Sequence, residues 1–169
     1  NIAKANMQGA DLTGADLTGA DLTDANLEFA DLTDTVLSGQ NLSGKDLSHT
    51  NLSNANLQGA DLTKATLQRT FLTSANLSRA NLGGAFLFDA ILPNANLSNA
   101  NLSNANLRHA ILTDANLYGA DLSKADLHQA RLINANLNNA EMTDANLYGA
   151  NLLGANPTNA NLINANLEF

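Results

Sequence analysis

Cysteine and tryptophan are absent from this sequence of 169 residues, and aromatic residues make up only 4% of it. Without cysteine the chain can form neither a disulfide framework nor a thiolate metal site. No apolar run approaches the roughly 18 residues of a membrane-spanning helix, so we expect no membrane insertion. Basic residues are scarce as well: eight Lys and Arg stand against sixteen Asp and Glu, and the net charge of −8 argues against direct nucleic-acid binding.

The apolar residues that are present are nearly all leucine and alanine, although their share of 44% is ordinary. A globular core normally mixes side-chain sizes to fill an irregular space. A core built from two residue types therefore indicates one small packing unit that is used many times.

A five-residue repeat runs from Ile2 to Leu167 without a change of frame. Leucine occupies 30 of its 34 central positions, and alanine occupies 28 of the 33 positions two residues before a centre. Asn or Asp occupies 26 of the 34 positions directly before a centre. We call these the central, inner and outer positions, and we call the position two residues after the centre the corner position.

A period of five fits neither regular element. On an α-helix successive leucines would advance by about 140° and spread over all sides, and on a flat strand they would alternate between faces. Both problems disappear if the chain turns once in every repeat. Gly, Asn and Asp are common at the corner position, and these residues tolerate the positive φ of tight turns. Each repeat is then one short side, with Leu and Ala pointing inward.

The number of sides in a coil is indicated by the outer positions that are neither Asn nor Asp. Phe71, Ile91, Ile111 and Arg131 follow one another at a spacing of 20 residues, which is four repeats. This spacing favours a four-sided coil in which these side chains form a column. A spacing of 15 also groups some of the exceptions, but never in four consecutive layers.

The pattern resembles the pentapeptide-repeat family, as residues 20–24 (Ala-Asp-Leu-Thr-Asp) and 95–99 (Ala-Asn-Leu-Ser-Asn) illustrate. The resemblance covers essentially the whole chain. It implies an all-β fold, the right-handed quadrilateral parallel β-helix, with four repeats in each coil. We therefore expect a single domain over residues 1–169 with about eight coils, forming a rod roughly 40 Å long at a strand spacing of about 4.8 Å.

Irregular outward residues mark the candidate partner-binding patch. The column of Phe71, Ile91 and Ile111 should form an apolar stripe beside Phe86 and Phe88. Two interpretations stay open, namely local packing between neighbouring strands and a surface that binds a partner. A second column consists of Phe88, Arg108, His128 and Tyr148. Cation–π stacking of the arginine on the aromatic rings would suit it, but we favour the interpretation that this surface simply tolerates these residues. The candidate binding residues are Phe71, Phe86, Phe88, Ile91, Ile111, Arg131 and Tyr148.

Four successive inner positions depart from alanine: Thr35, Gln40, Lys45 and Thr50. Gln and Lys are too large for a site that fits alanine, and an unpaired buried ammonium is costly. We expect a widened coil or bulge from which these side chains escape, in preference to a buried site.

Nothing in the sequence indicates catalysis. His49, His109 and His128 lack metal-ligand spacing, and the many Asp and Ser residues belong to the repeat. No nucleophile–base pair, metal cluster or phosphate loop is visible, so we expect no enzyme activity and no metal or other cofactor.

Three functions are compatible with such a rod. The first is a non-enzymatic interaction or scaffold module that binds a protein partner, because solenoids commonly bind along their surfaces. The second follows from a quinolone-resistance branch of the family, whose members resemble B-DNA in width and charge and bind DNA gyrase. The third is a structural rod that self-associates end to end through uncapped coils. We expect a cytoplasmic location and leave an exported or lumenal one open.

Overall fold

The computed structural model describes residues 2–168. Its only regular pairing in this range consists of parallel single-residue β-bridges, from Asn6–Asn26 to Asn146–Asn166, so no strand extends beyond one residue and no helix is present. Each bridge joins an outer position to the outer position twenty residues later. One coil therefore takes four repeats, as the spacing of the exceptions predicts. The described part of the chain contains no helix with the length and apolarity that crossing a membrane requires.

Four sides follow from this register. We name them by their first central residue: Ile2 lies on the first side, Met7 on the second, Leu12 on the third and Leu17 on the fourth. Each side then recurs every twenty residues. The predicted column on the third side is confirmed, because bridges join Phe71 to Ile91, Ile91 to Ile111 and Ile111 to Arg131.

A tight turn separates successive sides. Every corner residue from Lys4 to Asn164 has a φ between 53° and 71°, including 23 residues that are not glycine. The N–H of the next inner residue closes the turn, as where Ala100 donates to the carbonyl of Leu97 at 3.0 Å. Positive φ at the third residue of such a turn is the signature of type II, which explains the preference for Gly, Asn and Asp there.

Backbone hydrogen bonds join each coil to the next. In one typical repeat Leu97 donates to the carbonyl of Asn116 at 2.7 Å, Asn99 donates to Tyr118 at 2.8 Å, and Asn116 donates back to Ala95 at 2.9 Å. These bonds exist only between stacked coils, so every coil depends on its neighbours for its polar backbone groups.

The core consists of the central and inner side chains, as predicted. Every central leucine from Leu27 to Leu147 is at most 1% exposed. Threonine replaces alanine without an unpaired hydroxyl, because Thr35 donates to the carbonyl of Leu32 and Thr50 to that of Leu47, both at 2.7 Å. The core is therefore a continuous column of Leu layers alternating with small residues.

The regular bridging is interrupted once among the described residues. No bridge joins Asp21 to Asn41 or Asn26 to Asp46, whereas the rungs before and after this interruption are formed. The widened coil that the sequence predicts is therefore present. The prediction that the large side chains escape from the core is wrong for Gln40. This residue stays buried because its side-chain amide donates to the backbone carbonyls of Leu17 and Ala20. Lys45 is half-buried.

Candidate functional site

Most of the outer surface is uniform and internally satisfied. An outer Asn or Asp accepts a hydrogen bond from the N–H two residues later, as where Ser98 donates to Oδ1 of Asn96 at 3.1 Å. On the fourth side, side-chain amides also bond from coil to coil at 3.0–3.4 Å. The members of this amide ladder are Asn56, Asn76, Asn96, Asn116 and Asn136. Such a surface presents the same groups in every layer.

The third side breaks this uniformity with an apolar stripe. Phe71 is 45% exposed, and Ile91 and Ile111, one and two coils later, are half-buried. Arg131 continues the column as an exposed cation. Because these side chains occupy consecutive layers, they form one strip and not scattered apolar residues.

The second side carries a neighbouring group of aromatic residues. Phe86 is 50% exposed and Phe88 is half-buried. Together with Thr66, Gln68 and Asn106 they line an open depression of about 450 Å³. This is a shallow feature suited to contact with a surface and too open to enclose a small molecule.

Stacked rings extend the second side toward its later coils. Phe88 meets His109 edge-on at 5.4 Å between ring centroids, and His128 stacks on Tyr148 at 5.3 Å. His109 and His128 meet edge-on at 5.9 Å. The ring column is therefore confirmed only in part, since His109 comes from the corner position.

The cation–π interpretation for Arg108 is wrong. Its guanidinium Nη1 lies 3.3 Å from Oδ2 of Asp126, an outer residue of the next coil. Both side chains are only partly exposed. The carboxylate offers the guanidinium a charged acceptor, which the neighbouring rings cannot match as a hydrogen-bond partner.

The corner between the second and third sides contains residues that the sequence reasoning missed. Phe29 stacks on His49 with centroids 5.0 Å apart, and with Phe71 they line a groove of about 360 Å³. An ion pair between Arg69 and Asp89, at 3.4 Å, lies along the same corner. The only signal was an aromatic residue at a turn position, where Gly, Asn or Asp is usual.

The structure thus brings all seven predicted residues onto two adjacent sides. Phe86, Phe88 and Tyr148 lie on the second side, and the others lie on the third. We call the whole the two-sided aromatic surface; its members are Phe29, His49, Phe71, Phe86, Phe88, Ile91, His109, Ile111, His128, Arg131 and Tyr148. Tyr118, which is 44% exposed, lies apart on the fourth side.

Acidic residues of the early coils are distributed around the rod. Asp11 lies on the third side, Asp16 on the fourth and Asp21 on the first, while Glu28 lies on the second. The pKa of each of the three aspartates is lowered by hydrogen bonds from the threonine two residues later. Within residues 2–168 no group of His, Asp and Glu is arranged to hold a metal ion.

Comparison with solved structures shows the same fold. The full-length structure of QnrB1, a plasmid-mediated fluoroquinolone resistance protein, matches with a TM-score of 0.68 at 20% identity, over 94% of this chain and 84% of that one. HetL, a pentapeptide repeat protein involved in heterocyst differentiation regulation from the cyanobacterium Nostoc sp. strain PCC 7120, is 36% identical over 98% of this chain and 90% of its own, with a TM-score of 0.32. A pentapeptide repeat protein from the Arabidopsis thaliana thylakoid lumen is 34% identical over 75% of this chain and 67% of its own, with a TM-score of 0.26.

The family comparison covers the whole chain. No curated protein matches it. The family model of pentapeptide repeats matches in eight copies, at residues 1–39, 30–69, 55–94, 70–108, 90–129, 100–139, 110–147 and 140–169. The chain therefore belongs to the pentapeptide-repeat family, and its fold is the right-handed quadrilateral β-helix.

Proposed function

We propose that this chain is a non-enzymatic interaction module that binds a protein partner through the two-sided aromatic surface. One observation carries the proposal: six of the eight outer positions that are neither Asn nor Asp lie on two adjacent sides, and only Val36 and Glu141 lie on the other two. Binding energy usually concentrates in a few aromatic and arginine anchors, and these residue types are enriched at interfaces. A uniform surface cannot distinguish one partner from another.

The rod suits such a role because its surface is held in place before binding. Backbone bonds of 2.7–3.0 Å connect Phe71, Ile91 and Ile111 to the coils on either side. Little order then has to be gained when a partner docks, which favours affinity. A complementary partner would present apolar groups to the stripe and a carboxylate to Arg131.

The environment of the histidines supports a role in contact and not in catalysis. His49 stacks on Phe29, and His109 and His128 pack against each other and against aromatic rings. A catalytic histidine needs hydrogen-bond reach to a nucleophile or a substrate proton. In this surface the rings serve as part of an aromatic column.

Site-specific photo-crosslinking tests the proposal. Phe71 is replaced by p-benzoylphenylalanine, which keeps an aromatic ring at the stripe, and Tyr118 is replaced in the same way on the fourth side as the control. We expect irradiation in the native cell extract to yield a discrete protein adduct from position 71 and none from position 118. Equal labelling from the two positions, or labelling from position 118 alone, would overturn the proposal.

A further inference from the structure

The interruption between Asp21 and Asp46 leaves two facing edges of backbone without partners. In the part of the chain that the structure describes, six inter-coil hydrogen bonds of the regular pattern are missing at this point. The N–H groups without a backbone acceptor are those of Gly19, Leu22, Asp24, Leu27, Asn41 and Asp46. One coil later the equivalent bonds are formed; Leu42 donates to the carbonyl of Asp61 at 2.7 Å and Asp61 donates to Gln40 at 2.9 Å.

Intact rungs close this opening at both ends, so it is a slit and not a frayed terminus. Asp16 pairs with Val36 before it, where Leu17 donates to the carbonyl of Val36 at 2.9 Å. Asp31 pairs with Asn51 after it. We call the opening between these rungs the coil slit, with one lip at residues 20–27 and the other at residues 40–46.

Two large inner side chains hold the lips apart. Gln40 replaces alanine and bridges the slit, because its Nε2 donates to the carbonyl of Ala20 at 3.1 Å and also to that of Leu17. Lys45 replaces the next inner alanine and is half-buried. An inner site sized for alanine cannot hold these side chains while the coils stay at their usual spacing.

The coil slit is a cavity of substantial size with an acidic rim. Its volume is about 640 Å³, and residues of both lips line it. Asp21, Asp24 and Asp46 are exposed at its mouth, and Lys45 is the one base among its lining residues. The surrounding residues 1–50 contain eight acids and two lysines, a net charge of −6.

We propose that the coil slit binds an extended basic peptide segment, which enters as an added strand between the two lips. Its carbonyls would accept from the N–H groups of Leu22 and Asp24 on the first side, and its own N–H groups would donate to carbonyls of the opposite lip. Strand addition of this kind gains affinity from main-chain bonds. The acidic rim selects lysine or arginine side chains on the segment. The site is separate from the two-sided aromatic surface and does not depend on the function proposed for it.

Defined peptides test this inference directly by calorimetry. The probe is a peptide of about eight residues that alternates lysine and valine, compared with a glutamate–valine version and with an N-methylated lysine–valine version that lacks backbone donors. We expect the lysine–valine peptide to bind with an affinity about tenfold or more above that of either comparison peptide. Absence of binding, or equal binding of the N-methylated peptide, would overturn the proposal, since charge alone would then explain any attraction.

Closing the slit supplies the matched variant. Gln40→Ala with Lys45→Ala restores the repeat and should let the two lips pair, so the variant should lose the peptide while gaining thermal stability. Gln58→Ala, an exposed glutamine on the fourth side, is the control and should bind the peptide like the wild type. Peptide binding that survives closure of the slit would contradict the proposed site.

Amide hydrogen exchange detects binding of the peptide in the coil slit at the level of individual backbone N–H groups. The amides of Leu22 and Asp24 should exchange rapidly in the wild type, slow down when the peptide is added, and be slow in the closed variant without it. Unchanged exchange on addition of the peptide contradicts strand addition. A variant that changes the apolar stripe alone should bind the peptide normally, so failure here and failure of the aromatic surface can be told apart.

Discussion

Asn116 donates its side-chain amide to Oδ1 of Asn96, one coil earlier, at 3.2 Å. The side-chain amide of Asn96 in turn donates to Oδ1 of Asn76 at 3.4 Å. Oδ1 of Asn96, which accepts from Asn116, also accepts the backbone N–H of Ser98. One side chain therefore closes the local turn and also joins three layers. This dual role explains why asparagine, which offers both a donor and an acceptor, recurs down the fourth side.

Removing a member of the amide ladder should lower the free energy of unfolding more than removing an asparagine that makes only the local hydrogen bond. Asn96→Ala removes two bonds between coils and one local bond, whereas Asn106→Ala removes the local bond that Arg108 donates at 3.2 Å. We expect Asn96→Ala to lower the free energy of unfolding by about 1 kcal/mol more than Asn106→Ala does. Urea denaturation of both variants measures the difference, and equal losses would show that the amide ladder contributes nothing.

Because the leucines point inward, a substitution at a central position should destabilise the protein far more than one at an outward position. Leu97 is fully buried, and Leu97→Ala should destabilise the protein by about 2–5 kcal/mol because it leaves a cavity in the middle of the rod. Ser98→Ala, one residue later and outward, should change stability by no more than about 0.5 kcal/mol. Chemical denaturation of the pair checks the assignment, which equal effects would refute.

Stability should also fall in acid through the early aspartates. The fold lowers the pKa of Asp11, Asp16 and Asp21, and the largest cause is the hydrogen bonding from the threonine two residues later. Their contribution is therefore present above the ordinary aspartate pKa and is lost as the pH falls below about 4, through the lowered values. Replacing all three with Asn keeps an acceptor but removes the titration. The variant should lose less stability between pH 7 and pH 3 than the wild type in urea melts; an equal loss would contradict this cause.

Gyrase interference provides a contrasting expectation. The likeness to QnrB1 at 20% identity concerns the fold alone. Asp11, Asp16, Asp21 and Glu28 lie on four different sides and do not line up on one of them. We expect micromolar protein to leave DNA supercoiling by gyrase unchanged, with or without a quinolone. Inhibition that disappears when Asp11, Asp16 and Asp21 become Asn would establish the opposite.

The coil geometry could be predicted from the sequence because it depends on periodicity. The frame that places leucine at every fifth residue defines the inward face, and the recurrence of Phe71, Ile91 and Ile111 at twenty residues defines the number of sides. Both follow from the repeated unit, in which each layer obeys the same packing constraint. Agreement across 34 copies makes such a pattern robust against single exceptions.

The individual contacts depend on lateral offsets that periodicity does not contain. Arg108 reaches Asp126, which is 18 residues later and lies one coil away but two positions to the side. Phe29 pairs with His49 at a corner, which the repeat pattern marks only as a turn. Gln40 stays inside because two carbonyls happen to lie within reach of its amide. Each of these contacts depends on the exact positions of individual side-chain and backbone atoms, which the repeat pattern does not define.

The affinity for the crosslinked partner, measured by calorimetry, decides whether the two-sided aromatic surface is the binding site. The comparison uses wild type, the triple variant Phe71→Asn, Ile91→Asn and Ile111→Asn, and the control Tyr118→Asn, with a melting curve for each protein. Asparagine suits the outer positions, so the triple variant should melt like the wild type while its affinity falls about tenfold or more, and the control should bind normally. A triple variant that unfolds much more easily would show that the stripe is structural packing. A triple variant that keeps full affinity would place binding elsewhere on the rod and contradict the account.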